Sequence, residues 1–306
     1  MTIHIASAPV SFGVFELTAG CDDLPAGPVL AHTMAELGYV GSELGPPGYF
    51  GEGAEVAETL GAENLVLMGS FLPLRFSRRE HIEEDLRGLD ETLSLLDEAR
   101  GDGPKPAVLL SDAFCEPDRM ALAGRIEQHP ETWLADDRFA FLLESAHRAA
   151  ARCRDRGFPV SFHYHAGTYV ESPREIERFI AGLDPSLLGL VFDTGHPAFG
   201  GGNPLELLRA HGDLVNHVHL KDVDMALLAR LHAEGAGLEK AWEEGMFCRL
   251  GEGGADVDGC LAELRRRGYD GWLVVEQDQV LRPGRTFEDA VASARANRGW
   301  LRERGL

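Results

Sequence analysis

Short apolar runs alternate along the chain with longer segments in which apolar residues recur at helical spacing. Eight apolar runs with turn residues behind them are typical of buried strands, and they cover residues 3–10, 39–44, 64–70, 107–111, 160–165, 188–193, 215–220 and 272–276. Helical periodicity is clearest over residues 81–100, 139–156, 173–181, 204–210, 257–267 and 286–302. This alternation predicts parallel strands joined by crossover helices.

Local signals mark several helix ends. Ser172, Pro173 and Glu175 supply an N-cap, a proline at the first helical position and a glutamate at the third, which together predict a helix start. Gly157 and Gly268 follow predicted helices, where a residue without a side chain can adopt the left-handed conformation that ends a helix.

Polar residues suited to metal binding or proton transfer end many of the predicted strands. They are Glu43, Ser70, Asp112, His163, Asp193, His219 and Glu276. An open doubly wound sheet would also alternate strands and helices, but its nucleotide-binding forms favour a G-x-G-x-x-G turn after the first strand, and residues 8–13 read Ala-Pro-Val-Ser-Phe-Gly. Polar ends spread around the whole cycle favour a closed ring in which they converge. The sequence therefore predicts an α/β TIM (β/α)8 barrel, with residues 1–306 as a single domain.

Residues 222–257 are too long for an ordinary connection between a strand and a helix. They contain a helical stretch near residues 225–244 and then a glycine-rich segment that ends at Gly254. Long structured loops at a barrel mouth often cover the site beneath them. We expect this insertion to form a lid.

Length and charge limit the classes of protein to which this chain can belong. The chain has 306 residues with 44% hydrophobic content, which suffices for one large core. The formal charge of −21 argues against nucleic acid as a partner, because binding a phosphate backbone needs clustered Lys and Arg. No apolar stretch approaches the ~20 residues of a membrane span, and the first residues lack the basic segment of a secretory leader. We expect a cytoplasmic protein with no membrane partner. The outer helices of barrels often pair, so a homo-oligomer is compatible with the sequence.

The cysteines do not indicate a disulfide framework or a thiolate zinc site. They are Cys21, Cys115, Cys153, Cys248 and Cys260. Their number is odd, they are widely separated, and none forms a Cys-x-x-Cys pair.

Three strand ends carry the strongest indication of a metal site. Asp193, His219 and Glu276 end the sixth, seventh and eighth predicted strands, and a divalent ion used as a Lewis acid is usually held by a few His and carboxylate ligands. The fifth strand offers His163 and His165, two residues apart and therefore on one side of a regular strand. A carboxylate alternative, Glu171, follows a few residues later. Mixed nitrogen and oxygen ligands suit Mn, Co, Fe or Zn better than Mg.

An ordered series of motifs resembles that of the inosose dehydratases, which belong to the xylose-isomerase-like sugar phosphate isomerase/epimerase superfamily. The motifs are APVSFGVFE (8–16), GYVGSELGP (38–46), HYHAGTYVE (163–171), DTGH (193–196), HVHLKD (217–222), LGEG (250–253) and GWLVVEQD (271–278). The resemblance covers nearly the whole chain. It implies a TIM barrel that uses Mn or Co to remove water from 2-keto-myo-inositol and form a trihydroxycyclohexane dione.

The resemblance also implies a ligand set. In the wider superfamily the metal is held by a Glu, an Asp, a His and a Glu from strands five to eight, and Asp193, His219 and Glu276 match the last three. The usual strand-five Glu falls where this chain has His163. The first ligand therefore stays open between His163, His165 and Glu171.

For such a substrate, a base must remove the proton next to the ketone, an enediolate develops, and an acid must protonate the departing hydroxyl. His165 and His196 are the leading acid–base candidates, because each lies two or three positions beyond a ligand. Glu43 is a further candidate. Lys221 follows His219 by two residues, so strand alternation directs both to one face, where the ammonium group can donate to a substrate oxygen.

Substrate contacts are expected from two other groups of residues. Phe12 and Tyr164 are candidate pocket neighbours for the ring carbons of a polyol or keto sugar. Arg249 and Glu252, in the predicted lid, are candidates to bind its hydroxyls.

Three other functions compete with the dehydratase. A keto-sugar isomerase or epimerase would use the same metal and enediolate but return the proton to carbon. A noncatalytic sugar-binding barrel would use the polar strand ends only as helix caps. An endonuclease relative is disfavoured by the acidic charge and by the lack of further His ligands for a multi-metal cluster.

Overall fold

The computed structural model describes residues 2–15, 18, 24–114 and 116–306. The strands are β1 Ile3–Ser7, β2 Gly41–Glu43, β3 Val66–Leu74, β4 Ala107–Asp112, β5 Val160–Phe162, β6 Gly189–Asp193, β7 Val215–Leu220, β8 Asp222–Val223, β9 Phe247–Cys248 and β10 Gly271–Val275. The helices are α1 Gly27–Leu37, α2 Ala54–Gly61, α3 Ile82–Ala99, α4 Pro117–Leu122, α5 Asp136–Asp155, α6 Pro173–Gly182, α7 Gly195–Phe199, α8 Pro204–His211, α9 Met225–Ala233, α10 Leu238–Glu244, α11 Val257–Arg267 and α12 Phe287–Glu303. Glu16, Cys21 and Cys115 lie outside the described residues.

Eight parallel strands close into a barrel, which confirms the predicted fold class. The strand order around the ring is β1-β10-β7-β6-β5-β4-β3-β2, and β1 pairs with both β10 and β2. Each strand pairs with the next barrel strand in the chain, as right-handed crossover connections require. All eight carboxyl ends therefore open on one face of the barrel.

The predicted start signal at Ser172 and the predicted stop signals at Gly157 and Gly268 are confirmed. The Ser172 side chain accepts a hydrogen bond from the Glu175 N–H, and the Glu175 carboxylate accepts one from the Ser172 N–H, which completes a capping box in front of α6. Gly157 and Gly268 have φ values of 77° and 75°, the left-handed conformation expected after a helix.

Several strand ends differ from the prediction by one to four residues, and two of these differences move functional residues. β1 stops at Ser7 because Pro9 begins a short 3-10 helix, so the chain turns over the barrel mouth. β5 stops at Phe162, before the predicted end at residue 165. His163 and His165 consequently lie on the connection after β5, where strand alternation no longer decides which way each side chain points.

The main core fills the barrel and the layer between the strands and the outer helices. One buried cluster of apolar side chains extends from β1 to α12. On β5, Phe162 stacks on Phe179 of α6 with ring centroids 3.8 Å apart, which fixes this helix against the barrel next to the site.

The insertion at residues 222–257 is built around a two-stranded antiparallel pair, β8 with β9. The helical stretch predicted near residues 225–244 is two helices, α9 and α10. It breaks at Gly235, whose φ of 75° requires the left-handed conformation, and the Ala236 N–H returns to the Leu231 carbonyl. This break lets α10 turn back across the barrel mouth.

Within the described part of the chain, no helix has both the length and the apolar character needed to cross a bilayer. The three described cysteines, Cys153, Cys248 and Cys260, are free thiols.

A buried ion pair supports the connection after β5. Arg119 of α4 binds the Glu175 carboxylate with N–O distances of 2.8 and 2.9 Å, and its guanidinium also donates to the Thr168 carbonyl. Glu175 accepts two further hydrogen bonds, from the Glu171 and Ser172 N–H groups. Because both charges are almost fully buried, losing either one leaves the other uncompensated.

We therefore predict that Glu175→Gln lowers the free energy of unfolding by about 3 kcal/mol, since the guanidinium would keep its burial without its counter-charge. Equilibrium urea unfolding would measure this. Glu177→Gln is the matched control on the same helix, because the Glu177 carboxylate is 57% exposed and its pair with His211 should contribute less than about 1 kcal/mol. Equal destabilisation by the two variants would contradict the prediction.

Candidate metal centre and active site

Four residues from four neighbouring strand ends come together at the open face of the barrel. Each of them offers one ligand atom, and these atoms all lie within 4.8 Å of one another. The residues are His163, Asp193, His219 and Glu276. All four side chains are buried.

The register of the barrel explains this convergence. Asp193 on β6 and His219 on β7 are direct partners across the two strands. The Glu276 N–H donates to the Leu220 carbonyl, which places the Glu276 side chain one step further around the ring. The His163 N–H donates to the Leu110 carbonyl of β4, which anchors the fourth side chain from the opposite side.

The donor atoms fit a divalent ion. Asp193 Oδ1 accepts hydrogen bonds from the Gly195 and His196 N–H groups, whereas its Oδ2 atom is buried and accepts no hydrogen bond from any described residue. His163 Nε2 and His219 Nδ1 are 3.1 Å apart, and His219 Nδ1 is 3.0 Å from Glu276 Oε2. Two ligand atoms about 2 Å from a shared ion would have separations of this size. The cluster therefore suits a metal with mixed nitrogen and oxygen ligands.

Glu43 lies behind His219. The Glu43 carboxylate is 2.8 Å from His219 Nε2 and 3.3 Å from His217 Nε2. Burial alone would raise its pKa, but the charge of His219 and the hydrogen bonds from both imidazoles outweigh burial and lower it. An ionised Glu43 orients His219 so that Nδ1 points into the cluster, as carboxylates behind metal-bound imidazoles do.

Lys221 connects the ligand cluster to the rest of the site. Its ammonium nitrogen is 3.1 Å from Glu276 Oε2, 3.0 Å from Asp278 Oδ1 and 3.2 Å from His196 Nε2. Burial opposes the charged form, but the charges of Asp278, Glu276 and Asp193 outweigh burial and raise the pKa of Lys221. The side chain is therefore a fixed buried cation.

The two predicted acid–base histidines are in contact with each other but occupy different positions relative to the cavity. The His165 and His196 rings have centroids 3.6 Å apart, and both are buried. His165 lines the open cavity, whereas His196 lies behind Lys221. Burial lowers the pKa of His165 to about 3, with the charge of Lys221 acting in the same direction, so its ring is neutral.

The cavity beside the cluster has an apolar wall that sequence reasoning did not find. Its aromatic and aliphatic lining includes Val10, Val14, Phe15, Phe71, Phe114 and Trp242. Asp278 lines the polar side together with His165 and Lys221. The wall residues come from four separate segments of the chain, so no local pattern relates them. Asp278 follows the predicted ligand Glu276 at a spacing of two, the same spacing that singled out Lys221, and that signal could have identified it.

Two predicted site residues serve the structure around the cluster. The Glu171 carboxylate accepts hydrogen bonds from the Gly124 N–H at 2.6 Å and the Gly167 N–H at 2.5 Å, and it lies outside the four-residue cluster. The Tyr164 hydroxyl accepts a hydrogen bond from the Asp193 N–H at 3.0 Å, so it steadies the end of β6. Tyr164 does not line the cavity.

Three predicted substrate contacts also lie away from the cavity. Phe12 is fully buried in the core against Phe287, because the 3-10 helix after β1 turns it inward. The Arg249 and Glu252 side chains are 42% and 61% exposed, and the Arg249 guanidinium bonds to Ser293 of α12. The glycine-rich end of the insertion is held by Asp222, whose carboxylate accepts from the backbone N–H groups there, so these two side chains face outward.

Comparisons with known proteins agree with the fold and the site. The family model described as a xylose isomerase-like TIM barrel matches residues 32–304. The chain belongs to this family. An inosose dehydratase of Geobacillus kaustophilus is 32% identical to it over 285 residues, which cover 90% of this chain and 87% of that protein. Within the xylose isomerase-like family the chain is thus inosose dehydratase-like, and the prediction that it is an enzyme of the hydro-lyase type is confirmed.

Solved structures share the fold at low sequence identity. The IolI protein, solved with a bound zinc atom, superposes with a TM-score of 0.67 at 14% identity, covering 96% of both chains. L-ribulose 3-epimerase superposes with a TM-score of 0.68 at 14% identity, covering 98% of this chain and 93% of that one. An epimerase therefore shares this fold, and the predicted isomerase or epimerase alternative is consistent with these neighbours.

Asp112 ends β4 but does not join the cluster. Its Oδ2 atom accepts a hydrogen bond from the Tyr169 N–H at 3.2 Å, and its Oδ1 atom has no hydrogen-bond partner among the described residues. Burial raises the pKa of Asp112 to about 7. The folded protein thus holds this proton more tightly than the unfolded chain does.

The raised pKa predicts a pH dependence of stability. Between pH 4 and pH 7 the unfolded chain releases the Asp112 proton first, so this residue lowers the free energy of unfolding as pH rises, by an amount on the order of 3 kcal/mol. Asp112→Asn removes the titration. Its stability relative to the unmodified protein should therefore increase from pH 5 to pH 8, measured by urea unfolding in the presence of a chelator. Parallel pH profiles for the two proteins would contradict the assignment.

Proposed function

We propose that the protein is a metal-dependent dehydratase that acts on a keto-cyclitol such as 2-keto-myo-inositol. The observation that carries this proposal is the set of four buried ligand atoms within 4.8 Å, directly beside a cavity lined by His165 and Lys221. A metal site next to a neutral imidazole and a buried cation suits removal of a proton near a ketone, followed by loss of a hydroxyl. The inosose dehydratase relative supports the same substrate class.

His163, Asp193, His219 and Glu276 are proposed to hold Mn or Co, with Zn, Fe and Mg as alternatives. When bound, the ion supplies Lewis-acid chemistry toward the ketone oxygen. The protein contributes two imidazoles and two carboxylates, so its formal ligand charge balances that of a divalent ion. The bound zinc of the IolI structure supports a divalent metal in this fold.

His165 is proposed as the base that takes the proton next to the ketone. Its Nδ1 atom is 2.8 Å from the Ala166 carbonyl, so Nδ1 carries the hydrogen and Nε2 keeps a free lone pair. The pair of electrons from the broken C–H bond forms the carbon–carbon double bond of the enediol. His196, packed against the His165 ring and bonded to Lys221, positions both groups.

Lys221 is proposed to donate a hydrogen bond to the departing hydroxyl, and the proton that His165 has taken is proposed to pass to this hydroxyl, which leaves as water when its C–O bond breaks. Tautomerisation of the resulting enol gives the dione, so the reaction removes one water, restores neutral His165 and needs no oxidant. Asp278 and Glu276 flank the ammonium group and hold it at the cavity. Glu43, a predicted base, is instead proposed to orient His219.

The insertion at residues 222–257 is proposed to cover the site. Its helix α10 places Trp242 in the cavity lining, over the polar groups at the barrel mouth. An enclosed site excludes water and strengthens the electrostatic interactions within it.

Activity and metal content test the proposed function together. The Mn- or Co-loaded protein should convert 2-keto-myo-inositol with a rise in dione absorbance, and Asp193→Asn should lose both bound metal, by elemental analysis, and activity, by more than about a hundredfold. Asp155→Asn, at the exposed end of α5, is the matched control and should keep both. Turnover of a ketohexose without any dione formation would favour the epimerase alternative, and full activity of metal-free protein would exclude the metal proposal.

Glu43 gives a separate test of the ligand geometry. Glu43→Gln keeps the shape of the side chain but removes the charge that orients His219, so affinity for Mn or Co should fall about 10- to 100-fold. Competition with a chromogenic chelator would measure the dissociation constant without any substrate. Glu91→Gln, on the exposed side of α3, controls for the loss of one negative charge. Unchanged affinity in Glu43→Gln would show that His219 does not depend on Glu43.

A further inference from the structure

Trp242 forms part of the boundary between the cavity beside the ligand cluster and a second cavity nearer the surface. Its indole lines both cavities, and Pro117, Met120 and Leu238 line only the outer one. The Phe15 and Phe114 rings meet the indole edge-on, with centroids 6.0 and 6.3 Å away. These contacts fix the orientation of a side chain that is only 7% exposed.

The polar atom of this side chain is unused. Trp242 Nε1 is buried and makes no hydrogen bond to any described residue. A buried indole N–H normally has an acceptor, because leaving it unpaired costs the full desolvation of the donor. The unpaired N–H belongs to a residue that lines the active-site cavity.

An acceptor without a regular hydrogen bond lies beside it. Asp278 Oδ1 is buried and, although it is 3.0 Å from the Lys221 ammonium nitrogen, it accepts no hydrogen bond of normal geometry from the described residues. The Asp278 carboxylate is close to the Trp242 N–H without the two forming a regular hydrogen bond. Donor and acceptor both line the cavity, and a hydroxyl group can both accept from an N–H and donate to a carboxylate.

We propose that Trp242 and Asp278 form a subsite that binds one ring hydroxyl of the substrate, with the indole N–H donating to the hydroxyl oxygen and the hydroxyl donating to Asp278 Oδ1. This inference rests on the proposed function and deepens it, because it assigns substrate selectivity to the insertion. A site built to pair a hydroxyl discriminates strongly against a ring that lacks it, since the buried indole N–H would then stay unpaired.

Trp242→Phe tests the subsite because it keeps an aromatic ring and removes only the N–H. We expect kcat/KM for 2-keto-myo-inositol to fall about tenfold, mainly through KM, because a hydrogen bond made equally in the bound substrate and the transition state affects binding. The test is repeated with analogues that each lack one hydroxyl. For the analogue that lacks the hydroxyl held by Trp242, kcat/KM should be the same for the original protein and the variant. The metal content should stay unchanged.

Trp133→Phe is the matched control, since it also removes an indole N–H, but one that donates to the Ile126 carbonyl far from the site. It should leave every kcat/KM value unchanged. An equal fall for all analogues with Trp242→Phe would overturn the subsite and assign the indole to the apolar wall alone. If the protein acts on a ketohexose instead, the same comparison with deoxy-ketohexoses decides the subsite while the dehydratase proposal fails. If the protein neither turns over nor binds either class of polyol, both proposals are overturned.

Discussion

Compensation between buried charges at the barrel mouth is the interaction on which the site depends. Glu276 and Asp278 face Lys221, and Glu43 faces His219, all at positions that are almost fully buried. Without their partners these groups would have to change protonation state or bring water into the barrel. Closure of the ring satisfies them, because it brings strand ends that are distant in the sequence within hydrogen-bond distance of each other. The same closure assembles the chemistry.

The site divides into two halves that share Glu276. On one side, imidazole and carboxylate atoms point toward a common position, and two of them have a supporting partner behind them: Glu43 behind His219, and backbone N–H groups behind Asp193. On the other side, Lys221 is held between carboxylates and the His196 imidazole. This arrangement separates the residues proposed to hold a metal from those proposed to act on the substrate, although they alternate along the same strand ends.

The barrel and the insertion contribute in different ways. The hydrogen-bonded register of the barrel strands fixes the positions of the polar groups closely. Sites built on regular elements are positioned more precisely than sites on loops, which suits catalytic chemistry. The insertion adds Trp242 over the cavity from a short helix held by a two-stranded pair. Variation in such a segment can change substrate selectivity without disturbing the ligand cluster, as is usual for loops on a rigid barrel.

The fold class, the strand order and three of the four converging side chains follow from the sequence alone, because apolar periodicity and strand-end polarity are local properties. Asp193, His219 and Glu276 lie within one residue of the ends of regular strands, so alternation and barrel closure together predict their meeting. The fourth member could not be chosen among His163, His165 and Glu171, because β5 ends before all three and their directions depend on packing. Tertiary structure also decided that Phe12 is buried in the core and that Asp112 accepts a hydrogen bond from the Tyr169 backbone. It likewise brought Phe71, Phe114 and Trp242 together in the cavity wall. Those outcomes are set by contacts between distant segments, which no local pattern of residues encodes.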